Sequence, residues 1–173
     1  MGWWSKARLY LKMHCSRGRI RLGSGLVVHG RVLIQGKGCV RIGAGVHLDA
    51  HQAPIVLTAF QNAEITIGEG VLIESGVCIE ARSAVKIGSH AKIRAFAMLL
   101  DNHFHQLEGD RDIAPESCPV LVEDEADIGP RAILLPGAQV GGGTRIGPCA
   151  VLSRRTPPGL VLQGNPAVVC KPL

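Results

Sequence analysis

The chain has 173 residues, 46% of them hydrophobic, with 22 glycines and only 3% aromatics. That length fits one domain with a sizeable core, but so few rings exclude an interior packed on large aromatic side chains and suit a narrow interior of aliphatic ones. The formal charge is +5, without a dense Lys/Arg run or interleaved aromatics. This argues against nucleic acid and suits a small anionic ligand. No apolar run approaches the ~18 residues that a membrane helix needs.

Residues 1–21 differ from the rest. Trp3, Trp4, Tyr10 and Leu11 alternate with Lys6, Arg8, Lys12, Arg17 and Arg19. One reading is an amphipathic capping segment that covers the open end of the main domain. The other is a basic, tryptophan-bearing foot on an anionic membrane surface. The myristoylation pattern fails at Lys6.

From residue 22 an aliphatic side chain recurs about every six positions. Leu22, Val28, Ile34 and Val40 form one series, and a slip leads to Ile42 and Leu48. The stretch Ala50–Pro54 reads as an outpocketing before Ile55-Val56-Leu57. The series restarts at Ile67, Ile73, Ile79 and Val85, and an offset of two gives Ile87, Ile93 and Leu99. After a polar break, Val122, Ile128, Leu134, Val140, Ile146 and Leu152 run without interruption. Glycine follows the aliphatic residue directly at Gly43, Gly68, Gly88, Gly129, Gly141 and Gly147, and a small residue often stands four after it, as at Val46, Val71, Val77, Ala132, Ala138 and Ala150.

A period of six fits neither a helix nor a simple alternating strand. It predicts an all-β parallel β-helix, with three short strands to a triangular coil of about 18 residues. A helical reading would place glycine in nearly every second turn at about 1 kcal/mol each. The cysteines Cys15, Cys39, Cys78, Cys118, Cys149 and Cys170 form no CxxC pair. Several are expected to serve as small apolar residues of the repeat. With no cleavable signal pattern, the expected location is a reducing cytoplasm.

At Ile67-Gly68-Glu69-Gly70-Val71-Leu72 the pattern resembles the hexapeptide-repeat acetyltransferases. The resemblance covers residues ~22–170 by repeat counting and implies that the coil is left-handed, against the usual crossover rule. It implies a domain of residues 22–173 interrupted by a protruding loop at 101–119, DNHFHQLEGDRDIAPESCP. Sugar and xenobiotic acetyltransferases of this kind carry a catalytic histidine near the start of such a loop, in patterns similar to D-x-D-F-H or N-H. Asp101-Asn102-His103-Phe104-His105 resembles both. His105 matches the first and His103 the second, and the base stays open between them, with His105 favoured by its offset of six from Leu99.

Removal of a hydroxyl proton during transfer from a thioester needs a group that is basic near neutral pH, which histidine supplies. Asp101 is the nearest candidate to fix the imidazole tautomer. The resemblance implies acceptor contacts from Asn102, Phe104 and Arg111. It also implies acetyl-CoA as co-substrate along the last coils. Arg154, Arg155 and Lys171 are candidates for its phosphates, and Asn165 and Ala167 of the Gly164-Asn165-Pro166-Ala167 turn for its path. One departure is Asp127, where such proteins often have tryptophan before Ile-Gly.

The expected function is acetyl transfer to a carbohydrate hydroxyl in a cytoplasmic homotrimer with sites between subunits, without metal. Its N-terminus supplies a peripheral membrane contact on the second reading above. The alternatives are an amino-sugar N-acetyltransferase, a non-catalytic scaffold, or a metal lyase similar to the γ-type carbonic anhydrases. The last would need a third histidine such as His90, at a spacing that does not match.

Overall fold

The computed structural model describes residues 2–16, 18–103 and 116–172. After helix α1 (Gly2–Cys15) the chain winds as a parallel left-handed β-helix with three faces. The first face stacks β1 (Ile20–Leu22), β3 (Cys39–Ile42), β5 (Glu64–Ile67), β8 (Ala84–Ile87), β11 (Val120–Val122) and β14 (Gln139–Val140). The second begins with the leading halves of β2 (Val27–Gln35) and β4 (His47–Ala59) and continues through β6 (Leu72–Ile73), β9 (Lys92–Ile93), β12 (Asp127–Ile128), β15 (Arg145–Ile146) and β17 (Leu160–Gln163). The third takes the trailing halves of β2 and β4, then β7 (Cys78–Ala81), β10 (Met98–Leu100), β13 (Ile133–Leu134) and β16 (Val151–Leu152). Because β2 and β4 run through the corner, the second and third faces hydrogen-bond into one sheet.

The repeat period becomes vertical columns of buried side chains. On the third face Leu57, Ile79, Leu99, Leu134 and Leu152 stand in register. On the second, Leu48, Ile73, Ile93, Ile128, Ile146 and Leu162 do the same. The slip and the offset of two have one cause. Strands of the first face are long enough to point two residues inward, so Val40 and Ile42, and Val85 and Ile87, are both buried. Small side chains fill the corners beside these columns, Ala91, Ala97, Ala126, Ala132, Ala138 and Ala150 among them, all without exposure.

The column Gly43, Gly68 and Gly88 shows why glycine follows the aliphatic residue. A Cβ on Gly68 would lie 2.7 Å from the backbone carbon of Gly88, so successive coils approach too closely there for any side chain.

At the start of the coil, α1 lays Leu9 into the core, and Met13 packs against it. The Lys12 ammonium donates to the Ile34 carbonyl. At the other end β17 pairs antiparallel with β18 (Val168–Pro172) across the Gly164–Ala167 turn. The Ala50–Pro54 stretch does bulge, with a register shift between Gly30 and Val32 and a cavity of about 620 Å³ lined by Arg31, His51 and Gln52.

The cysteines depart from expectation: none is buried. Cys15, Cys118, Cys149 and Cys170 are exposed, and Cys39 and Cys78 are half-buried. Cys39, Cys78 and Cys149 each directly precede a buried residue (Val40, Ile79 and Ala150), so alternation along the chain turns them outward.

Candidate active site

Every coil passes from the third face to the first at the same corner, and the polar loop leaves from it. Going up the coil this corner holds Phe60 and Asn62, then Arg82 and Ser83, then the loop, then Leu135 to Gly137, then Ser153 to Thr156. Backbone hydrogen bonds tie the levels together: the Cys118 amide donates to the Asp101 carbonyl at 2.9 Å, that of Gly137 to Cys118 at 3.0 Å, and that of Gln139 to Arg154 at 3.2 Å.

Asp101, at the root of the loop, has no solvent exposure. One of its carboxylate oxygens accepts the Arg82 amide at 2.8 Å and the other the Ser83 amide at 2.6 Å. Asn102, 2% exposed, donates its side-chain amide to the same carboxylate at 3.1 Å. Asp101 therefore anchors the loop root to the coil below. It contacts no histidine ring among the described residues, so the tautomer-fixing role is not among its contacts there. His103 follows as an exposed side chain. Phe104, His105 and Arg111 lie outside the described residues.

Sequence reasoning missed Glu80 and Arg82. Among the described residues, the buried side-chain polar atoms without a hydrogen-bond partner are Glu80 Oε2, Arg82 Nε and Asn102 Oδ1. All belong to this corner: Glu80 pairs with Leu100 across β7 and β10, and the Asp101 amide donates to the Glu80 carbonyl at 3.3 Å. Among the described residues, the other Glu80 oxygen has only the Cys78 thiol, at 3.7 Å. Burial, with the Glu80 charge adding to it, pushes that thiol up to about 11. The Arg82 guanidinium lies 4.7 Å from the Phe60 ring centroid, a cation–π contact. The signal available in the sequence was a carboxylate at an outward position one coil below the polar break.

The cofactor candidates lie higher on the same corner. Arg154 and Arg155 are exposed, and Arg154 donates to the Ala167 carbonyl at 3.1 Å. β10, β13 and β16 are successive neighbours, so Arg154 stands about 10 Å above the loop root at ordinary strand spacing. Ala167 is 2% exposed and closes the core, whereas Asn165 and Lys171 are exposed.

Asp127 lies elsewhere, on the second face, and makes a bidentate pair with Arg94 at 2.8 and 2.9 Å. Arg94 also donates to Glu74 at 3.1 Å. The charge that stands where tryptophan is common is thus neutralised in place, and hydrogen bonding from Arg94 holds the Asp127 carboxyl below its ordinary range. His90 sits at the corner between the first and second faces, its ring over Gly70, away from His103. Among the described residues no group of three or more His, Cys, Asp or Glu side chains is placed to hold a metal ion.

No protein-family model matches the chain. Over 57 residues it is 39% identical to a 2,3,4,5-tetrahydropyridine-2,6-dicarboxylate N-acetyltransferase of Staphylococcus aureus, a match covering 33% of this chain. The chain spans about a quarter (24%) of the length of the curated relatives it matches. Among solved structures, a hexapeptide-repeat-containing acetyltransferase of Vibrio cholerae complexed with acetyl coenzyme A superposes with a TM-score of 0.65 at 18% identity, over 96% of this chain and 84% of that one. Galactoside acetyltransferase in complex with coenzyme A gives 0.66 at 15% identity, over 95% and 70%. The chain has the fold of the hexapeptide-repeat acetyltransferases. Within that fold, the Ile67–Leu72 segment that carries the resemblance spans the end of β5, a Gly68–Gly70 turn and the start of β6, so the motif marks a corner between two faces. Among the described residues no helix is long and apolar enough to cross a membrane.

Proposed function

We propose that residues 22–173 form an acetyl-CoA-dependent acetyltransferase that acylates a carbohydrate hydroxyl, with a loop histidine as general base. The observation that carries this reading is the corner itself. A buried, tightly bonded root at Asp101 and Asn102 leads directly to the exposed His103. The exposed guanidinium groups of Arg154 and Arg155 stand above on the same corner. An extended thioester with anionic phosphates can lie along such a column, its phosphates at the arginines and its acyl end at the loop. The imidazole of His105, or of His103, takes the hydroxyl proton as the oxygen bonds to the thioester carbon, and returns it to the departing thiolate. Direct attack of this kind needs no acyl-enzyme.

Under this reading Asn102, Phe104 and Arg111 touch the acceptor, and Lys171 and Asn165 extend the cofactor path. The active molecule is a homotrimer with sites between subunits, in the cytoplasm, and its N-terminal segment with Trp3, Trp4, Lys6 and Arg8 contacts the inner face of the membrane. The local likeness to an N-acetyltransferase supports a second reading, transfer to an amine.

Acetyl-CoA binding and slow thioester hydrolysis test the proposal on wild type, His103→Ala and His105→Ala. Binding in all three with turnover lost in a single variant identifies the base. Absence of acetyl-CoA binding by the wild type refutes acetyl transfer and returns the chain to a scaffold.

A further inference from the structure

Away from the loop, the coil departs most from its repeat at the corner between the second and third faces, on its first two turns. Pairing of β2 with β4 passes from Gly30 opposite Ala50 to Val32 opposite Ile55, so residues 51–54 stand against Arg31 alone. This overhang is held from above. The Ser75 hydroxyl donates to the Asp49 carbonyl at 2.9 Å and accepts the Gln52 amide at 3.1 Å, and the Gly76 amide donates to the Ala53 carbonyl at 3.2 Å. From below, Gly30 nests against it at a φ of +73°, where a Cβ would lie 1.8 Å from the Ala50 carbonyl oxygen. The cavity of about 620 Å³ lies between these two corners, and its size is that of a small-molecule site.

Charge narrows the occupant. Arg31 and His51 line the cavity, and among the described residues no Asp or Glu does. The Arg31 guanidinium is exposed and has no carboxylate partner among the described residues. Asp49, the carboxylate on β4, is engaged elsewhere: His51 Nδ1 donates to it at 2.5 Å, and that hydrogen bond holds its carboxyl below the ordinary range. The contact leaves Nε2 as the other polar atom of the His51 ring, a donor when the ring is protonated. His29 stacks on His51 with ring centroids 4.8 Å apart, which fixes the plane of the ring. The wider field has the same sign, because residues 1–48 carry nine of the 19 Lys and Arg and none of the 14 Asp and Glu. Val32, Leu33, Ala53 and Pro54 add an apolar wall.

We propose that this cavity binds a small organic oxyanion, a carboxylate or phosphate whose head group pairs with Arg31 and protonated His51 and whose carbon body lies on Val32, Leu33 and Pro54. A bare inorganic anion would leave that wall uncovered, and a neutral molecule would leave the guanidinium without a counter-charge. The site is separate from the proposed chemistry of transfer. The loop leaves from the corner between the third and first faces, two strands further along the third face, at β10.

The test titrates acetate, hexanoate, inorganic phosphate and butyl phosphate against the full chain by calorimetry. The pH is 6, below the ordinary imidazole value of about 6.5, and chloride holds the ionic strength constant. The expected result is that hexanoate binds about tenfold or more tightly than acetate, or butyl phosphate than inorganic phosphate, at up to about fourfold for each CH₂ buried. The pair that shows this margin names the head group. Arg31→Gln weakens binding about tenfold or more, as expected for a lost charge-assisted pair, and His51→Ala weakens it severalfold. Arg21→Gln, at an exposed arginine on the first face of the same turn, leaves it unaltered. The proposal is overturned if neither hexanoate nor butyl phosphate binds the wild type more tightly than its short counterpart, or if His51→Ala binds as the wild type does. Equal losses in Arg31→Gln and Arg21→Gln also overturn it, since they mark diffuse attraction by a basic end of the coil.

Discussion

Truncating Asp101 to alanine tests whether the loop root is an anchor. Both carboxylate oxygens are used, on the amides of Arg82 at 2.8 Å and Ser83 at 2.6 Å, in a side chain with no exposure. Asp101→Ala leaves two backbone donors without acceptors. At about 1–3 kcal/mol for each orphaned donor, the loss is about 2–6 kcal/mol, toward the lower end where water can enter the space vacated. The loss is local, because coils of a solenoid contact chiefly their neighbours. Amide hydrogen exchange resolved by residue is therefore the assay: Arg82 and Ser83 should exchange about 5–150-fold faster, from 1–3 kcal/mol each. Amides of β5 should be unchanged. His103→Ala, at an exposed side chain, should leave the same amides protected. Protection of Arg82 and Ser83 equal to wild type in Asp101→Ala would refute the anchoring role and leave the carboxylate free for the histidine.

The remaining predictions concern the scaffold. Gly68→Ala puts a Cβ 2.7 Å from the Gly88 backbone, and should cost about 1–3 kcal/mol or more by overpacking, read as a lower urea midpoint; an unchanged midpoint would mean that the coils can spread there. Asp127→Asn breaks the paired guanidinium contact and should cost about 1–3 kcal/mol at neutral pH. Because Arg94 lowers the Asp127 pKa on folding, this contribution is present above the ordinary carboxyl value of 3.8 and disappears as pH falls through the lower folded value. The stability gap between wild type and Asp127→Asn should therefore close only below about pH 4, and a gap that closes near neutrality would contradict the pairing. Cys78, raised to about 11, should be alkylated at pH 8 about 100-fold more slowly than the exposed Cys15, Cys118, Cys149 and Cys170, since only the thiolate reacts; peptide mapping that finds it labelled as fast as they are would count against its burial beside Glu80.

The fold was legible because a solenoid converts period into register. Ile128 and Ile146 lie 18 residues apart in the chain, three periods of one six-residue series, and stand in register on neighbouring strands. The irregularities carried information too: the slip between Val40 and Ile42 marked the strands that bury two side chains instead of one. Outward positions obey no such rule. Cysteine before an inward aliphatic residue looked like part of the repeat, and alternation sent Cys39, Cys78 and Cys149 out of the core. Asp101 was legible as a residue of interest from its place at the end of the repeats, but its partners, the amides of Arg82 and Ser83, carry no side-chain signature in the sequence.

The site is consequently better described as a corner than as a motif. In a parallel coil each turn revisits the same corner one strand spacing higher, about 4.8 Å. Arg82, the two loop ends Asp101 and Cys118, Gly137 and Arg154, spread over much of the sequence, become four consecutive levels of one column. A loop motif identifies one level of that column and says nothing of the levels beneath it. Those levels hold the Asp101 carboxylate through the amides of Arg82 and Ser83, and they are where Glu80 and Arg82 keep buried polar atoms without a hydrogen-bond partner among the described residues.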